Sequence, residues 1–313
     1  MLNYEQLFKR NYGVFTEKEQ ERIANARVLI VGCGGIGGTV AVILARSGVK
    51  RFVLVDFDIY EASNVNRQIA CFSSTLGQKK STAIKDQILD INPEADVLSF
   101  ENLLNHDEIF QLMKTVDFVF PAADDFAFSI FIFRQSQKLK IPALLVVPSG
   151  TWANVSIILP GRPCVENIYG IPKVNSYKEL KDIFETDLYK FGAINYLTQG
   201  SWRIDYYESF MKDDAPPTQI CPIVWLSSTI GALEVLKVIS GKWAPVASPK
   251  YWEITIDKIK VRKINDLSMH SFYTWQRKLL WPVFQTSLSK PLNKLLKIYW
   301  KFMYKFFKVL ETK

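Results

Sequence analysis

Residues 28–37 read Val-Leu-Ile-Val-Gly-Cys-Gly-Gly-Ile-Gly, an apolar run that ends in Gly32-x-Gly34-Gly35-x-Gly37 and leads into the small, apolar stretch 38–47. Few local sequences constrain a fold so tightly. Four or five buried apolar residues suit a strand of a parallel sheet. The glycines let the backbone turn sharply and approach a phosphate at the N-terminus of the next helix. A second apolar run, Phe52-Val53-Leu54-Val55, follows and is closed by Asp56-Phe57-Asp58. Strand, glycine turn, helix and strand make a βαβ unit, which requires parallel strands and a right-handed crossover.

The alternation continues along the chain. Helices are predicted at 16–26, 78–90, 106–114 and 127–139, and strands at 96–99, 117–121, 143–147 and 152–159. The first helix carries a capping-box signal, Thr16 with Glu19 three residues on. Between 163 and 217 Tyr, Lys, Asp and Pro accumulate and only 176–190 looks helical, so this stretch reads as an insertion over the active edge of the sheet. A long apolar helix at 223–239 and a hairpin at 251–264 complete the pattern. The fold expected is α/β: a Rossmann-like, mostly parallel sheet with helices on both faces, an inserted crossover region and a C-terminal amphipathic helical tail. The expected division is a nucleotide domain at 1–266 and a basic extension at 267–313.

Taken alone, the glycine turn and Asp56, which lies 19 residues after Gly37, fit an NAD enzyme as well as an ATP enzyme, because a carboxylate there accepts ribose hydroxyls in both. The residues that follow discriminate. Asn64-Val65-Asn66-Arg67-Gln68 comes after the second strand, and Gly77-Gln78-Lys79-Lys80 opens the next helix. An oxidoreductase has no use for Arg67 and Lys80 beside a third phosphate, whereas both neutralise charge on a departing pyrophosphate. Asp124, after the strand 117–121, adds a carboxylate suited to magnesium. Each charge alone would read as a solvated surface residue; their order at successive strand ends is what argues for a site.

The run from Arg27 to Pro93, with its glycine turn, Leu54-Val55-Asp56-Phe57-Asp58, Ser63-Asn64-Val65-Asn66-Arg67-Gln68, Gly77-Gln78-Lys79-Lys80 and Ile91-Asn92-Pro93, resembles the ThiF/MoeB/HesA superfamily of ubiquitin-activating-enzyme-like adenylyltransferases. The resemblance covers residues 8–161 well and 222–262 more loosely. It implies an ATP- and magnesium-dependent enzyme that activates a C-terminal carboxylate of a small ubiquitin-like or sulfur-carrier protein, or of a peptide, as an acyl-adenylate. By position, Gly34 and Gly35 would line the phosphates and Asp56 the ribose. Asn64, Arg67 and Lys80 would surround the triphosphate, and Asp124 would hold magnesium. It further implies a homodimer in which Arg10 reaches the triphosphate of the partner. Within the superfamily, peptide-modifying enzymes of natural-product biosynthesis and tRNA-modifying dehydratases are the alternatives; outside it, an NAD-dependent oxidoreductase or a non-catalytic adaptor.

The chain also departs from that pattern. Its four cysteines stand at 33, 71, 164 and 221 with no CxxC pair, and Asn167 occupies the place of the second cysteine after Cys164, so no structural zinc is expected. Cys221, just before Pro222 and the long helix, is the one candidate for thioester chemistry, weighed against the commoner role of cysteine as a small buried hydrophobe. Asp125 replaces an asparagine common in the superfamily after the magnesium aspartate.

Charge is distributed unevenly. Residues 271–313 hold nine Lys or Arg and one acid, Glu311, which accounts for the whole net charge of +8 and leaves residues 1–270 neutral. A neutral body argues against nucleic acid as a partner. In the tail, Lys290, Lys294, Lys297, Lys301, Lys305 and Lys308 fall within an arc of about 80° on a helix, and nearly every other residue is apolar. Such a helix either docks on its own domain or a dimer partner, or lies on a membrane surface. With no secretory signal and no apolar run long enough to span a bilayer, the expected location is cytoplasmic, with the tail as the element that would make it peripheral at a membrane.

Overall fold

A computed structural model of the chain describes residues 3–174, 176–186, 188–189, 199–212, 214–264, 266–267 and 269–311. Eight strands form one sheet: β1 (Arg27–Val31), β2 (Arg51–Val55), β3 (Asp96–Phe100), β4 (Phe118–Pro121), β5 (Ala143–Ser149), β6 (Trp152–Ile158), β7 (Lys250–Ile254) and β8 (Ile259–Lys263). Their spatial order is β3-β2-β1-β4-β5-β6-β7-β8. The first five strands in this order pair in parallel, and β6, β7 and β8 are added antiparallel. The sheet is therefore mostly parallel, as the βαβ pattern requires.

Alternation along the strands divides the core between two faces. Val28, Ile30, Phe52, Leu54, Phe118, Phe120, Leu144, Val146, Val155 and Ile157 point to one side, which the helices Glu17–Asn25, Gly37–Arg46, Lys80–Ile91 and Cys221–Ser240 cover. Leu29, Val31, Val53, Val55, Val119, Leu145 and Ile158 point to the other, under the helices His106–Met113, Phe126–Leu139, Val165–Tyr169 and Tyr177–Phe184. Both faces of the inner parallel strands β1, β2 and β4 are dry, which explains their continuous apolar runs, whereas the edge strand β3 is partly exposed.

The helix starts follow their capping chemistry. Thr16 accepts from the Glu19 N–H at 3.3 Å and Glu19 answers on the Thr16 N–H at 2.8 Å, and Asn105 with Glu108 repeats the device. Helix Cys221–Ser240 is long and apolar enough to cross a membrane by composition, but it is a core helix. A Cβ at Gly231 would stand 3.0 Å from Val146 and 3.2 Å from Leu144, so the glycine permits the helix to press onto β5.

Two helices described inside the inserted segment, Val165–Tyr169 and Ile204–Met211, were not expected from the sequence; after the hairpin, the expected helical C-terminal region opens with Met269–Phe284. The last of these is docked rather than free. Leu280, Trp281 and Phe284 pack against the second core, Thr274 donates to the Ile168 carbonyl at 3.0 Å, and Arg277 donates to the Tyr169 carbonyl at 3.1 Å. The stretch from 267 onward thus begins with a helix bonded to the inserted segment, and the helix Ser289–Glu311 follows it.

One buried charge ties the antiparallel end of the sheet to the long helix. Glu234 is fully buried and accepts from Lys237 at 2.7 Å, from the Val246 N–H at 2.7 Å and from the Trp252 indole N–H at 2.8 Å. Both oxygens are engaged. Removing the carboxylate would leave a half-buried cation and two half-buried N–H donors without this partner, so Glu234→Ala should cost about 2–4 kcal/mol of unfolding free energy in urea denaturation. A loss under about 1 kcal/mol would show that the segment 246–252 docks without it.

Candidate functional site

The sheet order reverses between β1 and β4, where connections leave in opposite directions, and a crevice opens beyond the carboxyl ends of these two strands. The glycine turn lies at that crevice, and its shape is dictated by contact. A Cβ on Gly37 would stand 1.8 Å from the Gly32 carbonyl oxygen and 3.1 Å from the Ala122 side chain. Gly32 has φ +99° and faces the Ala122 carbonyl, which a Cβ would meet at 2.6 Å. These two glycines let the helix Gly37–Arg46 start directly on the ends of β1 and β4. Gly34 and Gly35 are different: a Cβ at Gly34 would meet nothing closer than Gln68 at 3.7 Å, and one at Gly35 would meet Val224 at 3.2 Å and Arg67 at 3.5 Å. The turn is tight at Gly32 and Gly37, close to Val224 and Arg67 at Gly35 and roomiest at Gly34, and it stands at a helix N-terminus where backbone N–H groups can meet a phosphate.

Asp56 sits at the end of β2 and is buried. It accepts from the Cys33 N–H at 2.6 Å and from the Asp58 N–H at 2.9 Å, so it holds the glycine turn in place. Burial pushes its carboxyl above the usual range against these two bonds and the Lys80 charge. Each oxygen retains a second lone pair, which leaves capacity for a hydroxyl. Lys80, the first residue of its helix, is also buried, and its ammonium meets Asp58 at 3.0 Å. Asp58 was not singled out as a site residue from the sequence, although it closes the same strand; it is the counterion that keeps Lys80 poised.

Arg67 is braced from the crossover segment. Its Nε donates to Gln219 at 2.7 Å and its Nη1 to Asn66 at 2.8 Å and the Ser63 carbonyl at 3.1 Å, while Trp225 donates to the Arg67 carbonyl at 2.8 Å. Gln219 is the residue that the sequence pattern did not reveal, because nothing local marks a glutamine 152 positions away as a partner of Arg67. Asn64 is buried and faces inward, its oxygen accepting from the Glu61 N–H at 3.2 Å, so it shapes the loop that carries Arg67. Arg67 also lies against the glycine turn, where a Cβ on Gly35 would meet its side chain at 3.5 Å, and Lys80 reaches the end of β2 through Asp58.

Asp124 follows β4 two residues after Ala122, the residue against which Gly32 and Gly37 pack. It is exposed and has no hydrogen-bond partner among the described residues. A free carboxylate beside a phosphate cradle fits a magnesium ion that takes its remaining ligands from phosphate and water. No group of three or more His, Cys, Asp or Glu that could hold a metal by itself occurs among the described residues. Cys164 is half-buried, and burial with the nearby Glu166 pushes its thiol up to about 12.

Asp125 has a separate role. It caps the helix Phe126–Leu139 by accepting from the Phe128 N–H at 2.9 Å, and it accepts from the Tyr177 hydroxyl and meets Lys181 at 3.4 Å. Helix Tyr177–Phe184 of the inserted segment is thereby fastened next to Asp124. The other end of the insertion is fastened to the end of β5, where the Thr151 N–H donates to the Gly200 carbonyl at 2.9 Å and the Gly150 N–H to the Thr218 carbonyl at 2.8 Å. Both attachments lie at the carboxyl edge of the sheet, where a cover over the site is needed.

Cys221 is half-buried at the first position of its helix, two residues from Gln219 and one turn before Val224, which touches Gly35. The crossover helix therefore begins beside the glycine turn. Arg10 is elsewhere. Its short helix Lys9–Gly13 is anchored by Asn11, which donates to the Ser47 carbonyl at 3.0 Å, at the far end of the helix Gly37–Arg46 and about 15 Å along that helix from the turn.

A family model described as the ThiF family matches residues 8–271. A tRNA threonylcarbamoyladenosine dehydratase of Bacillus subtilis is 36% identical over 138 residues, which are 44% of this chain and 54% of that protein. The vegetative HesA protein of Trichormus variabilis is 28% identical over 156 residues, 50% of this chain and 59% of its own. The probable adenylyltransferase/sulfurtransferase MoeZ of Mycobacterium tuberculosis is 36% identical over 108 residues, 34% of this chain and 28% of MoeZ. The chain thus spans little more than half the length of the first two and less of the third. Among solved structures, E. coli MccB with MccA-N7isoASN aligns with a TM-score of 0.63 at 23% identity, covering 84% of this chain and 72% of its own. PaaA aligns with a TM-score of 0.57 at 22% identity, covering 79% and 65%. These two share the fold.

The Asp125 bracket has a pH signature. Burial pushes its carboxyl up, but the bonds from Tyr177 and the Phe128 N–H and the Lys181 charge outweigh it, and the net shift is below the ordinary value of 3.8. An acid lowered in the folded state stabilises above its unfolded pKa and ceases to as the pH falls through its folded one. The unfolding free-energy gap between the native chain and Asp125→Asn should hold steady above about pH 5 and close as the pH drops below 3.8. A gap that stays constant through acid titration would assign Asp125 a capping role alone.

Proposed function

Because the chain belongs to the ThiF family, whose members such as MoeZ are adenylyltransferases, we propose that it is an ATP- and magnesium-dependent adenylyltransferase acting on the C-terminal carboxylate of a protein or peptide. What supports this reading is the glycine turn at the start of the helix Gly37–Arg46, with Arg67 against Gly35, the Lys80–Asp58 pair just past β2 and the free carboxylate of Asp124 just past β4. A substrate carboxylate oxygen attacks the α-phosphorus, the bond from that phosphorus to the bridging oxygen breaks, and acyl-adenylate and pyrophosphate are left. Lys80, exchanging Asp58 for phosphate, and Arg67, held by Gln219, take up the charge that grows on the leaving group. Magnesium held by Asp124 and phosphate oxygens would supply further charge neutralisation there. The inserted segment excludes water, which would otherwise hydrolyse the product.

MccB, whose fold this chain shares, has been solved with ATP and with MccA. A modified tRNA base as substrate is the second reading within the family, favoured by identity to the Bacillus subtilis dehydratase and disfavoured by a body, residues 1–270, without net positive charge. The functional unit proposed is a homodimer. Arg10 lies too far along the helix Gly37–Arg46 to serve its own crevice, so it would serve that of a partner. Cys221 stands where an activated acyl group could pass to a thiol, with the first turn of the helix Cys221–Ser240 at its back.

Adenylation is tested by pyrophosphate exchange with ATP, magnesium and candidate carboxylates. Arg67→Ala and Asp124→Ala should each lower exchange by about 10²- to 10³-fold, whereas Cys221→Ala should retain it, since that thiol acts after adenylation. Absence of exchange with every carboxylate, together with tight NADH binding, would favour the oxidoreductase reading. The dimer is tested by mixing. Arg10→Ala and Arg67→Ala subunits, each inactive alone, should together regain roughly a quarter of native exchange, because half of the dimers then hold one intact site. Mixtures that stay inactive would leave Arg10 outside the site.

A further inference from the structure

The C-terminal helix Ser289–Glu311 divides into three lengthwise faces. Leu296 is buried and Leu292 half-buried; this side faces the body, where the helix touches Ile204–Met211 of the inserted segment and the preceding helix Met269–Phe284. Lys290, Lys294, Lys297 and Lys305 occupy an arc of about 80°, and Lys290, Lys294 and Lys305 are exposed. Between these two faces lies a third, an arc of about 100° that holds Leu295, Ile298, Tyr299 and Phe302. These residues are 62%, 56%, 47% and 67% exposed, far more than large apolar side chains are when a fold has covered them. The preceding helix adds Phe272, Trp275 and Leu279, also exposed and within about 60° of one another.

We infer that the bare apolar face of Ser289–Glu311 binds the surface of an anionic lipid bilayer, with its lysines against the headgroups and Leu295, Ile298, Tyr299 and Phe302 inserted just below them. Charge decides among occupants. No acid occurs between Asp266 and Glu311, and this segment carries the whole net charge of the chain. A second copy would therefore bring one strongly cationic tail against another, whereas an anionic lipid surface attracts each lysine and offers the apolar arc a matching medium. The neutral body adds no repulsion and no further attraction, so the tail alone sets the affinity. Nucleic acid would satisfy the lysines but leave the apolar arc in water. Because the helix touches Ile204–Met211, attachment would bring the inserted cover of the site close to the membrane.

Flotation of the full chain with vesicles tests this independently of adenylation. The native protein should float with phosphatidylcholine vesicles containing about 30% phosphatidylglycerol and remain in solution with phosphatidylcholine alone. Lys290→Gln/Lys294→Gln/Lys305→Gln should weaken the partition about a hundredfold, and Ile298→Ser/Phe302→Ser at least about tenfold. Pyrophosphate exchange in solution and the melting temperature should be unchanged in both, since the substituted side chains are exposed. No flotation with anionic vesicles, equal flotation with neutral ones, or variants that float like the native chain would overturn the inference. So would a native dimer or larger assembly that Ile298→Ser/Phe302→Ser dissolves without vesicles present, which would assign the face to self-association.

Discussion

The closeness of Gly37 to the Gly32 carbonyl is the contact on which the remaining geometry rests. With no room for a single carbon between them, the helix Gly37–Arg46 is forced to begin where β1 ends. That start fixes the direction of the helix N-terminus, and Ala122, pressed against the same two glycines, fixes the end of β4 beside it. Asp56 then closes the arrangement by accepting the Cys33 N–H. Three strand ends are thus locked around one opening by main-chain contacts and one carboxylate. The candidate side chains follow directly on those ends: Lys80 through Asp58 just past β2, and Asp124 just past β4.

Main-chain packing makes the opening, but crossing contacts aim what lines it. Arg67 is set by Gln219, Lys80 by Asp58, and the neighbourhood of Asp124 by the bracket that Tyr177 and Lys181 make on Asp125. Each holds a group in place without using up its charge. Lys80 is buried while Asp58 is nearly half exposed, so the pair holds the ammonium in place with its counterion on the solvent side. Gln219 is neutral, so it orients the Arg67 guanidinium while leaving its positive charge for an anion. The inserted segment is therefore coupled to the site twice, through Gln219 at its end and through Tyr177 and Lys181 in its first half. Movement of this cover would change the aim of Arg67 directly.

Features governed by local rules were legible in the sequence. The apolar run of β1, the spacing of its glycines and the capping box at Thr16 are short patterns read along the chain, and the apolar runs of β2 and β4 announce burial on both faces. What was not legible depends on distant contact. The helix Ile204–Met211 is rich in aromatic and β-branched residues of modest helix propensity, and it follows from packing rather than from a periodic pattern. Met269–Phe284 carries an internal proline, Pro282, which argues against a helix locally, yet the bonds of Thr274 and Arg277 to Val165–Tyr169 hold it in place. Gln219 and the Asp125 bracket escaped for the same reason. Their chemistry exists only once the crossover segment has returned to the sheet edge.

The same contrast bears on Cys221. Its sequence position, ahead of Pro222 and an apolar helix, is equally that of an ordinary N-terminal helix residue, because a proline in the first helical turn is favoured for backbone reasons alone. The structure adds proximity: the first turn of this helix touches Gly35 through Val224, and the residue two before it braces Arg67. Cys221 is also only half-buried, so its sulfur is open to solvent on one side. Cys33 and Cys71 are buried in the first core and burial raises both thiols, so neither competes for that role. What sets Cys221 apart from the buried thiols is therefore its place: it opens the helix whose first turn meets the glycine turn, two residues after the glutamine that braces Arg67.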